Sequence, residues 1–442
     1  MKHSRFSSSW SLLSAATLFT LLCASFAAAQ SSGSILYRFN PATTDGLNPQ
    51  GGLVADTAGN LYGTTYQGGT ANWGTVYELS PPAPPSAIWT ETILHEFTNG
   101  ADGAAPDGPL TFDAAGNLFG TTIYGGIGVN GNSYGTVFEL SPPSAPGGTW
   151  TYAVIASFDS GQVAINPAGK LIFDTAGNLY GISDGGLDNF QPCGSSPCGN
   201  VYELQPPSVP GGAWTGTAIY NFTANGKKDG FGPTGIIFGH GGVIFGTTGE
   251  GGVYEIGTLF KLLPPTAPGN PWTEKILYDF AVGDGYPSGG LISGPNGSFF
   301  GTTAESGTSG FGTVFQLIAP SGTTPWSESV LYNFTGGSDG AYPVGGVIAD
   351  KSGDLFGVAN GRGGNTNADC LDTGCGALFA LTPPAAPGGT WTEYTLHDFA
   401  GGYDGGNPVG RLLSIKGILY GVTAYGGTPK DGLGGTVFRI TP

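Results

Sequence analysis

The chain is one phrase written seven times, and that repetition limits the fold more than any other feature. In its first full copy the phrase runs from Gly51 to Phe97: GGLVADTAGNLYGTT, a Gly-rich gap, GTVYELS, a Pro-rich gap and WTETILHEF. The Phe that closes each copy marks the phase: Phe39, Phe97, Phe158, Phe222, Phe280, Phe334 and Phe399, at spacings of 54 to 65 residues. Such a period is too long for one coil of a β-helix and suits a four-stranded unit. Each copy holds four runs rich in β-branched and aromatic residues, bounded by Gly, Pro and Asn. In the first copy these are Leu53–Ala55, Leu61–Tyr66, Thr75–Leu79 and Thr90–Phe97, called strands A to D below. Outside the first 29 residues there is no helical periodicity.

The two ends set the topology. Before the first A strand stands only a D-type strand, Ser34–Phe39; after the last A, B and C strands (Arg411–Ile415, Leu419–Thr423, Thr436–Ile440) the sequence ends at Pro442 with no D. Pairing the surplus strand with the deficient unit closes a ring and removes most exposed sheet edges. The expectation is an all-β, seven-bladed β-propeller of four-stranded antiparallel blades, a single domain over residues 30–442, with the last blade completed by the N-terminal strand.

The turns agree. Asp56 to Asn60, Asp113 to Asn117 and Asp174 to Asn178 repeat as A–B hairpins, with Asp accepting backbone N–H bonds and Gly supplying positive φ. Pro pairs such as Pro81-Pro82 stiffen the C–D loops, and a Trp opens strand D at Trp89, Trp150, Trp214, Trp272, Trp326 and Trp391. The 82 Gly and 33 Pro therefore belong to ordered turns, because 39% hydrophobic and 12% aromatic residues supply a core.

Residues 1–29 read as a secretory signal: Lys2 and Arg5, an apolar stretch from Leu12 to Leu22, and Ala27 to Ala29 before cleavage at Gln30. The apolar run is shorter than the ~20 residues a span needs, so no membrane span is expected, and the product is extracellular or periplasmic. The formal charge of −17 becomes −19 when the two leader cations go, which excludes electrostatic attraction to nucleic acid or anionic lipid. Four cysteines then remain, and an even count in an exported chain favours disulfides. The simplest pairing is local, Cys193 with Cys198 and Cys370 with Cys375. A four-Cys zinc site is the sharper alternative, disfavoured because a ring holds the two loops apart.

The phrases GNLYGTT (Gly59–Thr65), GNLFGTT (Gly116–Thr122) and GTVFEL (Gly135–Leu140), with DGxxP between units, resemble the GloVer repeat of bacterial exported proteins, a tandem-repeat family with a choice of anchors. The resemblance covers essentially all of the mature chain. It implies export and surface or extracellular residence, and no catalytic residues. The third copy lacks DGxxP, and no anchor follows the last strand, which favours free secretion. The hairpin DTAGNLYG is also similar to NHL-type propeller repeats at the level of fold.

Residues constant across copies serve the fold; those that vary at an equivalent exposed position are candidates for function. His95 and His397 share a strand-D slot with Tyr37, Tyr220, Tyr278 and Tyr332 and read as packing; His240 falls in a hairpin turn. No nucleophilic triad, metal set or cofactor motif is assembled. Asp45, Asp102, Asp229, Asp284, Asp339 and Asp404 precede Gly in the D–A loops, either capping each turn, the reading preferred here, or forming a calcium ring. Variation gathers in the B–C and D–A loops, which a propeller places on one face. The B–C positions are Gln67 (beside Tyr66), Tyr124, Asp184, Glu250 and Tyr425, with Glu305 and Arg362 nearby. The residue before the D–A Pro is Asn48, Ala105, Asn166, Gly232, Tyr286, Tyr342 or Asn407, and Tyr286 and Tyr342 on adjacent blades are the first pair to test. Aromatic faces with polar tips suit a neutral polar ligand. The expected function is a monomeric, non-enzymatic scaffold that binds a glycan or an extracellular protein there. The alternatives are a glycosidase or lyase with acid and base carboxylates on different blades, and a structural surface-layer component with no small ligand.

Overall fold

The computed structural model describes residues 32–442 except 129–132, 146, 159–163, 186–197, 210, 224–228, 268, 366–369, 371–373, 387, 429–431 and 433. The leader and Cys193 lie outside the described residues. No helix among the described residues is long and apolar enough to cross a membrane.

Seven antiparallel sheets form the ring, a seven-bladed β-propeller in which each sheet follows the order A-B-C-D outward. Blade 1 is built from Gly46–Pro49 with Val54–Ala55, Leu61–Gly68, Thr75–Ser80 and Thr90–Glu96. Blade 7 joins Gly406–Ile415, Ile418–Tyr425 and Thr436–Thr441 to the N-terminal strand Ser32–Arg38. The closing pair is antiparallel, with Ser34 opposite Arg439 and Tyr37 opposite Val437.

One three-residue device holds each blade to the next. The Gly of strand B leaves a notch: a Cβ on Gly63, Gly120, Gly181, Gly246, Gly301, Gly357 or Gly421 would sit 2.3–2.5 Å from the aromatic ring or hydroxyl of the strand-C residue beside it. That aromatic is thereby set down into the sheet, where it meets the closing Phe of the preceding blade. The seven pairs are Phe39–Tyr77, Phe97–Phe138, Phe158–Tyr202, Phe222–Phe260, Phe280–Phe315, Phe334–Phe379 and Phe399–Phe438, all with ring centroids 5.0–5.5 Å apart. Every one of these rings is almost wholly buried. Offset or edge-on rings add about 0.5–1.5 kcal/mol per pair beyond the area they bury. The contacts that close the ring, on either side of blade 7, have the same geometry as the rest. The recurring Trp is packing too: Trp150, Trp214, Trp272 and Trp391 each meet a strand-B aromatic of the preceding blade edge-on.

Within blades, strands B and C are pinned by a hydroxyl pair. Thr65 and Thr75 approach to 2.8 Å, as do Thr122–Thr136 and Thr423–Thr436. Blade 3 substitutes Ser183–Asn200, and blade 6 replaces both members with Ala359 and Ala377. Replacing both partners together avoids a buried unsatisfied hydroxyl. The hairpin reading also holds: Asn60 N–H and its side-chain amide both donate to Asp56, and Gly59 has φ 90°.

The inner strand differs from its sequence expectation. In blades 1, 3, 4 and 7 it starts upstream of the Pro, at Gly46, Ile165, Gly230 and Gly406, with a register shift around the Pro-x-Gly run in blade 7, whereas in blades 2 and 6 it begins after the Pro, at Thr111 and Val347. The residue before the Pro is left-handed in most blades, for example Asn48 (φ 59°), Asn166 (φ 50°) and Asn407 (φ 54°). This bend sends its N–H to the B–C loop of the preceding blade: Asn48 to Gly434 O at 2.9 Å, Asn166 to Tyr134 O at 2.7 Å and Asn407 to Cys375 O at 2.8 Å. Asn recurs there because its side chain tolerates that conformation.

Closure predicts a cross-link. In the Ser34→Cys/Arg439→Cys variant, a disulfide should form on mild oxidation and raise the melting temperature, as read by mass spectrometry and thermal denaturation.

Candidate functional site

The D–A carboxylates are spoken for. Each accepts a backbone N–H from its own turn at 2.6–3.0 Å: Asn40 to Asp45, Thr98 to Asp102, Thr223 to Asp229, Ala281 to Asp284, Thr335 to Asp339 and Ala400 to Asp404. Tyr37, Tyr220, Tyr278 and Tyr332 of the strand-D slot donate to four of them at 3.0–3.2 Å and His397 bonds Asp404 at 3.0 Å, while His95 Nε2 lies 3.3 Å from Asp102 without hydrogen-bond geometry. The histidines are therefore structural partners of these carboxylates, in the same slot as tyrosine.

In four blades a second carboxyl from the next blade joins this cluster: Glu91, Glu274, Glu328 and Glu393. The Tyr37 hydroxyl lies 3.0 Å from both Asp45 and Glu91, and one phenol proton cannot serve two carboxylates. Burial, then the neighbouring Asp, holds Glu91 well above the usual carboxylate range and pushes Glu328 up to about 8. Glu274 and Glu393 rise to about 7, again chiefly through burial. Where the slot holds His95 the facing residue is Tyr152, stacked on it at 3.7 Å. Where it holds His397 the facing residue is Gly33. These exchanges are matched across blades, so the cluster serves the interface.

The variable positions do not converge on one point. Tyr66, Gln67 and Tyr124 share a recess of 290 Å³ at the channel rim of blades 1 and 2, with Ala71, Asn72, Trp73 and Ala105 completing its wall. Trp73 is 39% exposed and Tyr124 44%, so aromatic faces are presented to solvent. Arg362 and Tyr342 instead flank Phe311, the guanidinium 4.2 Å above the ring and the Tyr342 ring edge-on at 6.2 Å. Tyr342 is itself left-handed (φ 59°). Tyr286 is 39% exposed, and no ring contact joins it to Tyr342 among the described residues. Glu250 and Glu305 are exposed and Tyr425 is half-buried, each on its own blade. Cys370 and Cys375 form the expected disulfide, and Cys198 is also disulfide-bonded.

Beside the recess lies a carboxyl pair of which repeat comparison picks out Asp184 and misses Asp107. Asp107 sits one residue beyond the D–A Pro of blade 2, where other blades carry Gln50, Ala168 or Ser288. Burial, with Asp184 of blade 3 adding its charge, pushes Asp107 up to about 7. Its Oδ1 is buried without a hydrogen-bond partner. Asp184 is also raised by desolvation, although its side chain opens to the rim. The Tyr66 phenol is raised by burial first, then by Tyr124, with Asp107 a smaller influence. Tyr66 and Asp107 also line the central channel, a cavity of 750 Å³ bounded by the inner strands. On the opposite face a 930 Å³ groove between blades 2 and 3 is walled mostly by hairpin and Pro-loop residues that recur around the ring, so it belongs to the fold.

The carboxyl clusters set the pH response. An unfolded Glu loses its proton near pH 4.5, whereas these folded ones keep theirs to pH 7–8, so the unfolded state releases protons first and stability falls across that window. The melting temperature should drop as pH rises from 5 to 8, and the drop should shrink in a Glu328→Gln variant.

Among solved structures the chain is similar to an ulvan lyase (8% identity, covering 91% of this chain and 92% of that one, TM-score 0.46). It is also similar to a protein of unknown function from Dyadobacter fermentans (12%, 93% and 100%, TM-score 0.42) and to an α-L-arabinofuranosidase of Fusarium graminearum (12%, 92% and 98%, TM-score 0.39). At these values no activity passes from any of them to this chain. No curated protein sequence matches it. The Gloeobacter/Verrucomicrobia repeat matches residues 14–208 and 147–371, well over half of the sequence. The chain belongs to the Gloeobacter/Verrucomicrobia repeat family.

Proposed function

We propose that this protein is an exported, monomeric propeller that binds a neutral saccharide at the rim recess of blades 1 and 2. The observation that carries this reading is the recess itself, where Tyr66, Trp73 and Tyr124 offer flat apolar faces beside the amides of Gln67 and Asn72. Sugar rings pair an apolar face with equatorial hydroxyls, which such a mixed wall matches. Export is supported by the leader's composition and by the disulfides. Arg362 and Tyr342, packed on Phe311, and the scattered Tyr286, Glu250, Glu305 and Tyr425 stand outside this recess.

One observation favours a second reading, a glycosidase or lyase on the same rim. Asp107 is a buried carboxyl pushed up to about 7 beside Asp184, whose own carboxyl burial also raises, so Asp107 can carry a proton near neutrality as a general acid must. In that case Asp107 protonates the leaving oxygen, with Asp184 as the neighbouring carboxyl.

Glycan-array screening followed by calorimetry tests both. Trp73→Ala and Tyr124→Ala should each weaken binding of the selected sugar about tenfold or more, in line with ~1–3 kcal/mol for a lost aromatic contact of this kind. Unchanged affinity in both variants would remove the recess from consideration. Turnover of a bound oligosaccharide that vanishes in Asp107→Asn, with binding retained, would establish the enzymatic reading instead.

A further inference from the structure

The central channel carries a feature that the rim does not explain. Counted from the inner-strand Pro, the third residue on is Gly52, Pro109, Gly290 and Gly346 in blades 1, 2, 5 and 6, and blade 4 is one residue shorter. In blades 3 and 7 it is Lys170 and Arg411, and both side chains line the channel. We infer that the channel is a binding site for a small oxyanion, a carboxylate, sulfate or phosphate, held between Lys170 and Arg411.

Arg411 is built into the bore. Its Nη2 reaches across from blade 7 to donate to Gly289 O of blade 5 at 2.6 Å. It passes over Gly290 and Gly346, where an added Cβ would lie 3.5 and 3.3 Å from that nitrogen, so the glycines clear its path. A guanidinium has five N–H donors, and this one has a single protein acceptor among the described residues. Lys170 has none, and neither cation has an ion-pair partner, among the described residues.

The two cations also sense each other. Burial lowers the Lys170 pKa first and the like charge of Arg411 lowers it further, while no carboxylate contributes to offset either. Asp107, an acid that lines the same channel, responds to Asp184 and not to Lys170. Keeping two like charges together in a confined space is unfavourable unless an anion joins them. An oxyanion satisfies both at once: the planar fork binds two of its oxygens and the ammonium supplies a third donor. The chain's overall charge of −17 makes this local excess of positive charge the more distinctive.

Isothermal titration of the full chain with sodium sulfate and with sodium glucuronate, at ionic strength held constant with sodium chloride and with glucose as the neutral control, tests the inference. One saturable site for sulfate or glucuronate is expected, and none for glucose in the channel variants' difference signal. Tighter glucuronate identifies a sugar carboxylate as the ligand, and tighter sulfate an inorganic or ester oxyanion. Lys170→Gln should weaken binding at least tenfold and Arg411→Gln should abolish it. Because Arg411 also braces blade 5, the Lys170→Gln variant, with its far-UV spectrum unchanged, decides the case. Heats equal to those of chloride, or wild-type affinity in Lys170→Gln, would overturn the inference. Saccharide binding at the rim should survive Lys170→Gln, so failure of one site is distinct from failure of the other.

Discussion

The ring depends on an aromatic side chain seated in a glycine notch. Gly301 makes room for Phe315, and Phe315 then presents its edge region to Phe280 of the blade before. Any side chain at Gly301 would lift Phe315 and separate two blades, and the same holds at the other six interfaces. The contact joins a local choice, the pairing of strands B and C, to a long-range one, the docking of sheets. Because the device is identical at every junction, the spacing between blades is uniform, and the seventh junction meets the first. The N-terminal strand then supplies the closing Phe, Phe39, to Tyr77.

Around this interior the two ends of each strand do different work. At the rim the left-handed residue before the inner-strand Pro ties most blades to the B–C loop before them, and in six D–A loops an Asp gathers the turn and the strand-D Tyr or His. These bonds fix the loops without occupying their outward faces. Side chains that repeat are thus consumed by the scaffold. Those that break the pattern, Trp73, Asp107, Lys170 and Arg411, are left facing the recess or the channel. The four acid clusters carry a further consequence: interfaces that shelter protonated Glu are strongest in mildly acidic surroundings.

Blade number, strand order and closure were legible in the sequence because each rests on residues close together in the phrase: Gly and Tyr in GNLYGTT, the aromatic in GTVYEL, the final Phe. The role of His95 and His397 was legible for the same reason, since Tyr fills their slot elsewhere. The start of the inner strand was not, because Asn48-Pro49 reads as a turn and its pairing with Thr65 and Gln67 is set by the blade as a whole. Tyr286 and Tyr342 drew attention as variable residues of one slot, yet that slot is largely governed by backbone conformation. Trp73 lies in a gap between phrases, where no equivalent position exists for comparison. Lys170 and Arg411 did leave a signal, visible on aligning the blades by their Pro, and Asp107 sits two residues before them in that register.

The most direct measurement of the glycine-notch account is equilibrium unfolding of Gly301→Ala beside Gly249→Ala. Both glycines have backbones open to alanine, but a Cβ at Gly301 would lie 2.5 Å from the Phe315 ring, whereas at Gly249 the nearest atom is 3.4 Å away. The account predicts a loss of about 1–3 kcal/mol for Gly301→Ala, the usual cost of overpacking, and a change within about 0.5 kcal/mol for Gly249→Ala. Equal stability of the two variants would contradict it.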